Sequence, residues 1–126
     1  FAGAVADAMA LFEKFEAKLT EVNGNLQKAV VEMAKDWRTD KILKELDALL
    51  AIMDIKSAYL LSGSGDVIEP DDQVISIGSG SGYAVAAARA YLDAGEKNPT
   101  VIVRNAMKIT AELCIYTNDK ITILKA

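Results

Sequence analysis

The loop Gly78-Ser79-Gly80-Ser81-Gly82 is the segment of this chain where chemistry is most easily placed. Residues 74–77 precede it, are rich in β-branched side chains and predict a strand, and the alanine-rich residues 84–90 follow it and predict a helix. Glycines let the backbone turn sharply and approach a ligand closely. The first amides of a helix are unpaired and lie at the positive end of its dipole. This loop is therefore the first candidate site.

The spacing of the loop excludes two familiar phosphate-binding motifs. The dinucleotide-binding fingerprint needs a glycine three residues after its second glycine, and Tyr83 occupies that place. The P-loop needs a lysine directly after its last glycine, and this loop has none. Two interpretations of the loop remain, a generic anion-binding site and a structural turn. The pattern favours the turn, in which the glycines let the helix pack closely on the sheet.

The reactive residue types exclude further classes of catalysis. The chain contains no histidine and a single cysteine, Cys114. Neither serine–histidine nor cysteine–histidine catalysis can therefore be assembled within it. An internal disulfide is also excluded, which suits a reducing compartment. Glu69, Asp71 and Asp72 lie close together without the pattern of a calcium-binding loop, and they predict a solvated turn rather than a metal site.

Length and composition predict a single globular domain over residues 1–126. The chain has a mass of 13.5 kDa, with 52% hydrophobic and 25% charged residues, which is enough apolar surface for a core. Its net charge of −4 and pI near 4.8 argue against nucleic acid and anionic membranes as partners. Charged residues interrupt every apolar stretch, so we expect no membrane-spanning segment. The single cysteine suits a reducing cytoplasm, and we expect a cytoplasmic location.

Hydrophobic periodicity predicts four helices and four strands, and hence an α+β fold. The first two helices have apolar stripes formed by Val5, Ala8, Met9, Phe12 and Leu19, and by Leu26, Ala29, Val30, Met33 and Trp37. Asn25 and Asn98 are predicted N-caps, and Pro99 follows at the first helical position of the last helix. The buried stripe of that helix is expected to contain Ile102, Ala106, Ile109 and Leu113.

The strands are predicted from shorter β-branched and aromatic runs. Residues 57–62 and 67–69 indicate a hairpin around a glycine-containing turn, and residues 121–124 indicate a final strand. The predicted order is ααβββααβ. Residues 42–53 are ambiguous, because their apolar residues continue a helical period to about residue 51.

Several separated motifs resemble one family, in the same order and without an obvious gap. They are Ile77-Gly78-Ser79-Gly80 with Tyr83-Ala84, Phe1-Ala2-Gly3 with residues 5–8, Ala34-Lys35-Asp36-Trp37-Arg38-Thr39-Asp40, residues 46–50, and Cys114-Ile115-Tyr116-Thr117-Asn118. Together the chain resembles the HslV (ClpQ) family, the proteasome-like threonine peptidases of bacteria, over essentially all 126 residues. It departs from the family at Ser81-Gly82, where Gly-Pro is usual.

The resemblance implies a fold and an assembly. The fold would be the four-layer αββα sandwich of the N-terminal-nucleophile hydrolases, incomplete at the N-terminus, with a strand over roughly residues 48–54. The subunits would form a homo-oligomer of two stacked hexameric rings that degrades unfolded polypeptides. The partner would be the HslU ATPase, docking at the ring rim near the end of the second helix, at Asp36, Arg38, Asp40 and Lys41.

The resemblance also implies a mechanism in which part of the machinery precedes Phe1. In members of the family, the hydroxyl of an N-terminal threonine attacks the scissile carbonyl and its α-amine is the base. A neighbouring lysine and aspartate tune that amine. All three lie upstream of the Phe-Ala-Gly segment, so we expect this chain to lack them and to leave sheet edges unpaired. Gly3 matches the amide that stabilises the oxyanion, and Ser79 matches the serine that hydrogen-bonds the amine.

The resemblance also implies a cation site, and two functional hypotheses follow. Ala111, Cys114 and Thr117 match a monovalent-cation site, sodium in the first instance, built from backbone carbonyls at the end of the last helix. No organic cofactor is implied. The first functional hypothesis is an ATP-dependent threonine endopeptidase subunit. The alternative is a non-catalytic structural or interaction subunit with the same fold.

Overall fold

The computed structural model describes residues 1–43, 48–72 and 74–125, which form two compact units divided at the bond between Ile75 and Ser76. The first unit contains β1 (Ala2–Gly3), α1 (Val5–Glu21), α2 (Leu26–Thr39), β2 (Ala48–Met53), β3 (Ala58–Ser62) and β4 (Val67–Ile68). The second contains α3 (Ser81–Asp93) and α4 (Pro99–Leu113). The mixture of helices and an antiparallel sheet confirms the predicted α+β class.

The sheet of the first unit is antiparallel and has the order β1-β2-β3-β4. Leu50 of β2 stands opposite Leu61 of β3, and both side chains are buried on the face that packs in the core. This alternation of buried and more exposed residues is what one covered sheet face requires. The predicted strand at residues 48–54 and the predicted hairpin are thus confirmed. Residues 44–47, which include part of one family motif, lie outside the described residues.

The buried face of α2 matches the prediction. Trp37 and Val30 are completely buried, and Met33 is nearly so, in one core cluster with β2 and β3. The side chain of Asn25 caps this helix by accepting a hydrogen bond from the amide of Lys28 at 3.0 Å. The methionine and tryptophan stripe is therefore structural, and burying these large side chains stabilises the first unit.

The predicted stripe of α1 is partly wrong. The face that packs in the core is formed by Ala8, Leu11 and Phe15, whereas Val5 is 70% exposed, and Met9 and Phe12 are also exposed. The helix has apolar side chains on two adjacent faces, so periodicity alone did not indicate which face would be covered. A similar shift occurs in α4, where Thr110 is buried and Leu113 is exposed.

Two predicted strands are absent. Residues 74–77 and 121–124 have no regular secondary structure, so the observed element order is βααβββαα instead of ααβββααβ. A strand requires a neighbour to pair its backbone amides and carbonyls. Within the described ranges the only strands are the four of the first unit, and none of them pairs with these segments. Both segments therefore contain residues that favour strands, but they are not paired with a neighbouring strand.

Candidate functional site

The candidate site lies in the second unit, where the glycine loop meets the C-terminal end of α4. Helix α3 begins at Ser81 with Gly80 as its N-cap, and the carbonyl of Gly80 accepts a hydrogen bond from the amide of Ala84 at 3.1 Å. Helix α4 ends at Leu113, and the amide of Cys114 donates to the carbonyl of Thr110 at 2.8 Å. Two helix termini therefore position the loop and the residues that follow α4.

Gly80 packs closely against the end of α4 and the segment that follows it. A Cβ atom at this residue would lie 2.4 Å from Cγ2 of Thr110 and 3.0 Å from Oγ1 of Thr117. Thr110 has little freedom to move away, because it is buried and its hydroxyl donates to the carbonyl of Ala106 at 2.7 Å. The loop was predicted to be a structural turn in which glycines allow close packing. At Gly80 the close neighbours belong to α4 and to the segment after it, which explains why glycine is needed there.

Ser79 is held directly beside Cys114. Its Oγ lies 3.6 Å from Sγ of Cys114, a contact between residues 35 positions apart in the sequence. The hydroxyl of Thr117 lowers the pKa of the Cys114 thiol most, followed by the Ser79 hydroxyl and the Tyr116 amide. Each of these groups can donate a hydrogen bond that stabilises the sulfur in its charged form. Cys114 is buried, but its thiol has specific polar partners.

A groove of about 560 Å³ opens beside this cluster. It lies within the second unit, between the glycine loop and the segment after α4, with α4 along one side. Its lining includes both hydroxyl-bearing and apolar side chains. The lining residues are Ser76, Ile77, Gly78, Ser79, Gly80, Ala84, Val103, Met107, Thr110, Tyr116, Thr117, Asn118, Lys120, Ile121 and Thr122. Ser79 is exposed, so its hydroxyl is available to a group that enters this groove.

The predicted cation-site residues lie at the end of α4. The carbonyl of Cys114 accepts a hydrogen bond from the amide of Thr117 at 3.0 Å, which closes a tight turn directly after the helix. Ala111 and Thr117 line a shallow depression together with Lys108, Glu112, Asn118 and Asp119. Among the described residues, no group of three or more His, Cys, Asp or Glu side chains is placed to hold a metal ion. Any cation here would thus depend largely on carbonyl oxygens.

Gly3, the predicted oxyanion donor, belongs to the first unit. It pairs with Ala48 at the start of β2, has a φ of 126° and is exposed. The second unit brings Ser79, Cys114 and Thr117 together around one corner of the loop. Sequence reasoning found these residues only through the resemblance, and it missed both the thiol contact and the role of Gly80. No local pattern indicates a contact across 35 residues.

The helices in the described part of the chain are not long and apolar enough to cross a membrane.

Comparison with known proteins gives a consistent result. The proteasome subunit family, described as "Proteasome subunit", matches residues 1–126. The chain is 55% identical over 123 residues to the ATP-dependent protease subunit HslV of Pseudothermotoga lettingae, and 55% identical over 123 residues to that of Thermosipho africanus. It is 53% identical over 125 residues to that of Listeria innocua. Each match covers 98% of this chain and 70% of the relative.

The solved structures extend this likeness to the fold. The chain is similar to the crystal structure of eukaryotic HslV from Trypanosoma brucei, with a TM-score of 0.88 and 40% sequence identity over 94% of this chain and 68% of that one. This likeness confirms the predicted fold of the N-terminal-nucleophile hydrolase type, incomplete relative to the solved chain. The chain therefore belongs to the proteasome subunit family, and it resembles the HslV subunits within that family.

Proposed function

We propose that this chain forms the larger part of an ATP-dependent threonine endopeptidase subunit that degrades unfolded proteins. The observation that carries the proposal is the placement of Ser79, whose exposed hydroxyl borders a groove on a loop fixed against α4. Membership of the proteasome subunit family and the relatives named as ATP-dependent protease subunits support it.

The proposed chemistry divides the work between this chain and a segment that precedes Phe1. An N-terminal threonine from that segment attacks the scissile carbonyl with its hydroxyl, and its α-amine takes the proton. Ser79 hydrogen-bonds the amine and holds it in place. The amide of Gly3 donates to the oxygen of the tetrahedral intermediate, where negative charge develops. In this scheme Ser79 and Gly3 assist the reaction, and the nucleophile and base come from outside the 126 residues.

The proposed assembly is a cytoplasmic double hexameric ring with the HslU ATPase as partner. An exposed apolar helix face supports association with a second copy, because soluble proteins rarely leave such faces uncovered. Val5, Met9 and Phe12 form this face on α1, spaced so that they follow one another along one side of the helix. The charged end of α2, from Asp36 to Lys41, is the proposed docking area for the ATPase.

The second candidate function is a non-catalytic subunit of the same fold. The family match is described only as a proteasome subunit, and this description also fits a subunit without catalytic activity. The coding sequence upstream of Phe1, or the intact mass of the natural protein, distinguishes the two functions. A leading threonine followed by a lysine and an aspartate before Phe1 supports the peptidase. An upstream sequence without that threonine supports the non-catalytic subunit.

We also propose a monovalent cation, sodium in the first instance, at the carbonyls of Ala111, Cys114 and Thr117. Ala111 lies in the last turn of α4 and Cys114 is its C-cap, so their carbonyls are at the negative end of the helix dipole. The carbonyl of Cys114 also accepts from the amide of Thr117, and a carbonyl has a second lone pair for an ion. Glu112 and Asp119 add negative charge around the same depression, and Lys108 opposes it. When bound, the ion would fix the turn after α4, which also carries the residues around Ser79.

Cation binding should be insensitive to the side chain of Cys114 and sensitive to the register of the backbone. We expect Cys114→Ser to keep the stabilisation by NaCl over choline chloride at equal ionic strength. Sodium at ten times its dissociation constant would stabilise the fold by about 1.4 kcal/mol. An alanine inserted between Glu112 and Leu113 should abolish this difference, because it rotates the carbonyls out of register. Thermal unfolding measures both variants, and an insertion that keeps the full sodium effect would contradict the site.

A further inference from the structure

Helix α1 has an exposed row of side chains that is apolar along most of its length and acidic at its end. Val5, Met9 and Phe12 lie four and three residues apart, and they are 70%, 47% and 45% exposed. Glu16 continues the row by one further turn, and its side chain is also exposed. None of the four belongs to the hydrophobic core cluster of the described residues. We call these four residues the α1 row.

Helix α2 has a row of the opposite charge on its outer side. Lys28, Val31 and Lys35 lie three and four residues apart, all three are exposed, and we call them the α2 row. Lys35 forms an ion pair with Glu32 at 3.1 Å. Neither Lys28 nor Glu16 has an ion-pair partner within residues 1–43, 48–72 and 74–125. Each row can therefore accept a partner of the opposite charge.

The charges of the rows disfavour a symmetric contact in which a row meets its own copy. Two α1 rows packed together would place each Glu16 carboxylate against apolar side chains or against the other carboxylate. Burial of such an unpaired charge is costly. Two α2 rows packed together would concentrate lysines in the same way. A contact between an α1 row and an α2 row instead joins opposite charges and brings apolar residues together, so the charges favour a contact between different surfaces of two copies.

The two rows match in length and register. The last three residues of the α1 row and the three of the α2 row each span seven positions from first to last, about 10 Å at 1.5 Å per residue. Phe12 then meets Val31 in either orientation of the helices. In a parallel arrangement Glu16 meets Lys35, which already has a partner. In an antiparallel arrangement Glu16 meets Lys28, so both unpaired charges are used.

We propose that the α1 row of one copy of this chain packs antiparallel against the α2 row of the next copy, with Phe12 on Val31 and Glu16 paired with Lys28. This inference rests on the assembly in the proposed function and not on the peptidase chemistry. The contact joins two different surfaces and is therefore heterologous. A heterologous contact that repeats with a closing rotation generates a ring. A second copy of this chain is thus the partner that the exposed face of α1 fits.

Reversal of the two facing charges tests the pairing in the subunit that carries the threonine segment. Glu16→Lys and Lys28→Glu are each expected to raise the dissociation constant of the assembly at least about tenfold, because each places like charges opposite one another. The double variant restores opposite charges and should recover most of the wild-type affinity. Asp93→Lys makes the same change of charge at an exposed position of α3, and it should leave the assembly unchanged. Sedimentation velocity over a range of concentrations measures the wild type and all four variants.

A mixed disulfide tests whether two different surfaces meet, and it does not depend on the charges. Phe12→Cys and Val31→Cys replace exposed side chains, whereas the native Cys114 is buried. The two variants are combined before assembly and oxidised mildly. They should form dimers linked between the introduced cysteines, because facing residues come within the distance that a disulfide needs. Each variant alone should form few such dimers. Cross-linking of Phe12→Cys to itself as readily as to Val31→Cys would overturn the heterologous contact.

The outcomes distinguish this inference from the rest of the proposed function. If the wild-type subunit assembles and both single reversals assemble equally well, the pairing is wrong and a different partner covers the α1 row. The pairing is also wrong if the double variant is no better than the single ones. If the wild-type subunit is monomeric, the proposed assembly fails and this contact fails with it. Should a reversed variant not fold, the cross-linking result decides. Peptide hydrolysis by the wild-type subunit tests the peptidase chemistry separately.

Discussion

Peptide hydrolysis by the 126-residue chain assayed alone is expected to be no faster than the spontaneous reaction in buffer. The chain has no N-terminal threonine and no histidine, so both the proposed nucleophile and the commonest general base are missing. Ser79 has no base to activate it, because its described side-chain partner is the Cys114 thiol. Release of a fluorogenic leaving group from a short peptide measures the rate.

The same assay with Ser79→Ala is the control. Turnover that appears in both proteins would show that the chemistry lies elsewhere in the chain and that the assigned roles are wrong. Turnover that Ser79→Ala abolishes would make Ser79 itself the nucleophile, which the present account excludes.

Replacing Gly80 by alanine should produce the largest structural effect in the second unit. The backbone at Gly80 has φ −91° and ψ 6°, which alanine can adopt, so any loss of stability must come from the added methyl group. That methyl would lie 2.4 Å from Cγ2 of Thr110. We expect the free energy of unfolding to fall by about 1–3 kcal/mol, the usual cost of overpacking. Thermal or denaturant unfolding of the purified chain measures it.

A neighbouring glycine provides a matched control for this prediction. Gly82 lies within α3, and a Cβ there would meet nothing within 4 Å. Gly82→Ala should leave stability unchanged or raise it by about 0.5–1 kcal/mol, because glycine is unfavourable inside a helix. Equal destabilisation by the two substitutions would contradict the close approach at Gly80.

A second substitution tests the identity of the clashing group. Thr110→Ser removes Cγ2 but retains the hydroxyl that donates to the carbonyl of Ala106. In the Gly80→Ala background it should recover part of the lost stability, although in the wild-type chain it should be destabilising. If Thr110→Ser destabilises both backgrounds equally, the methyl of alanine is not in contact with Thr110.

Local features of the fold were predictable because their causes lie within a few residues. Asn25 and Asn98 cap α2 and α4 through their side chains, as their positions in front of helical sequence indicate. The stripe through Val30, Met33 and Trp37 is buried because it is the one continuous apolar face of α2. Turn chemistry and periodicity suffice where one short segment determines the structure.

Features that depend on a distant partner were not predictable. Residues 74–77 and 121–124 have strand-forming side chains, but a strand also needs a neighbouring backbone. The exposed side of α1 is as apolar as its buried side at Val5, Met9 and Phe12, so composition did not identify the covered face. The contact between Ser79 and Cys114 and the packing of Gly80 on Thr110 each join residues that no local pattern connects.

The central claim is that this chain provides the fold and the assisting residues for an N-terminal threonine. It is tested most directly by joining the segment of the Thermosipho africanus relative that precedes the matched region to Phe1, and by measuring peptide hydrolysis in the presence of an HslU-type ATPase and ATP. We predict hydrolysis that disappears when the leading threonine is replaced by alanine. Hydrolysis that survives this replacement, or its absence from a correctly assembled ring, would contradict the account.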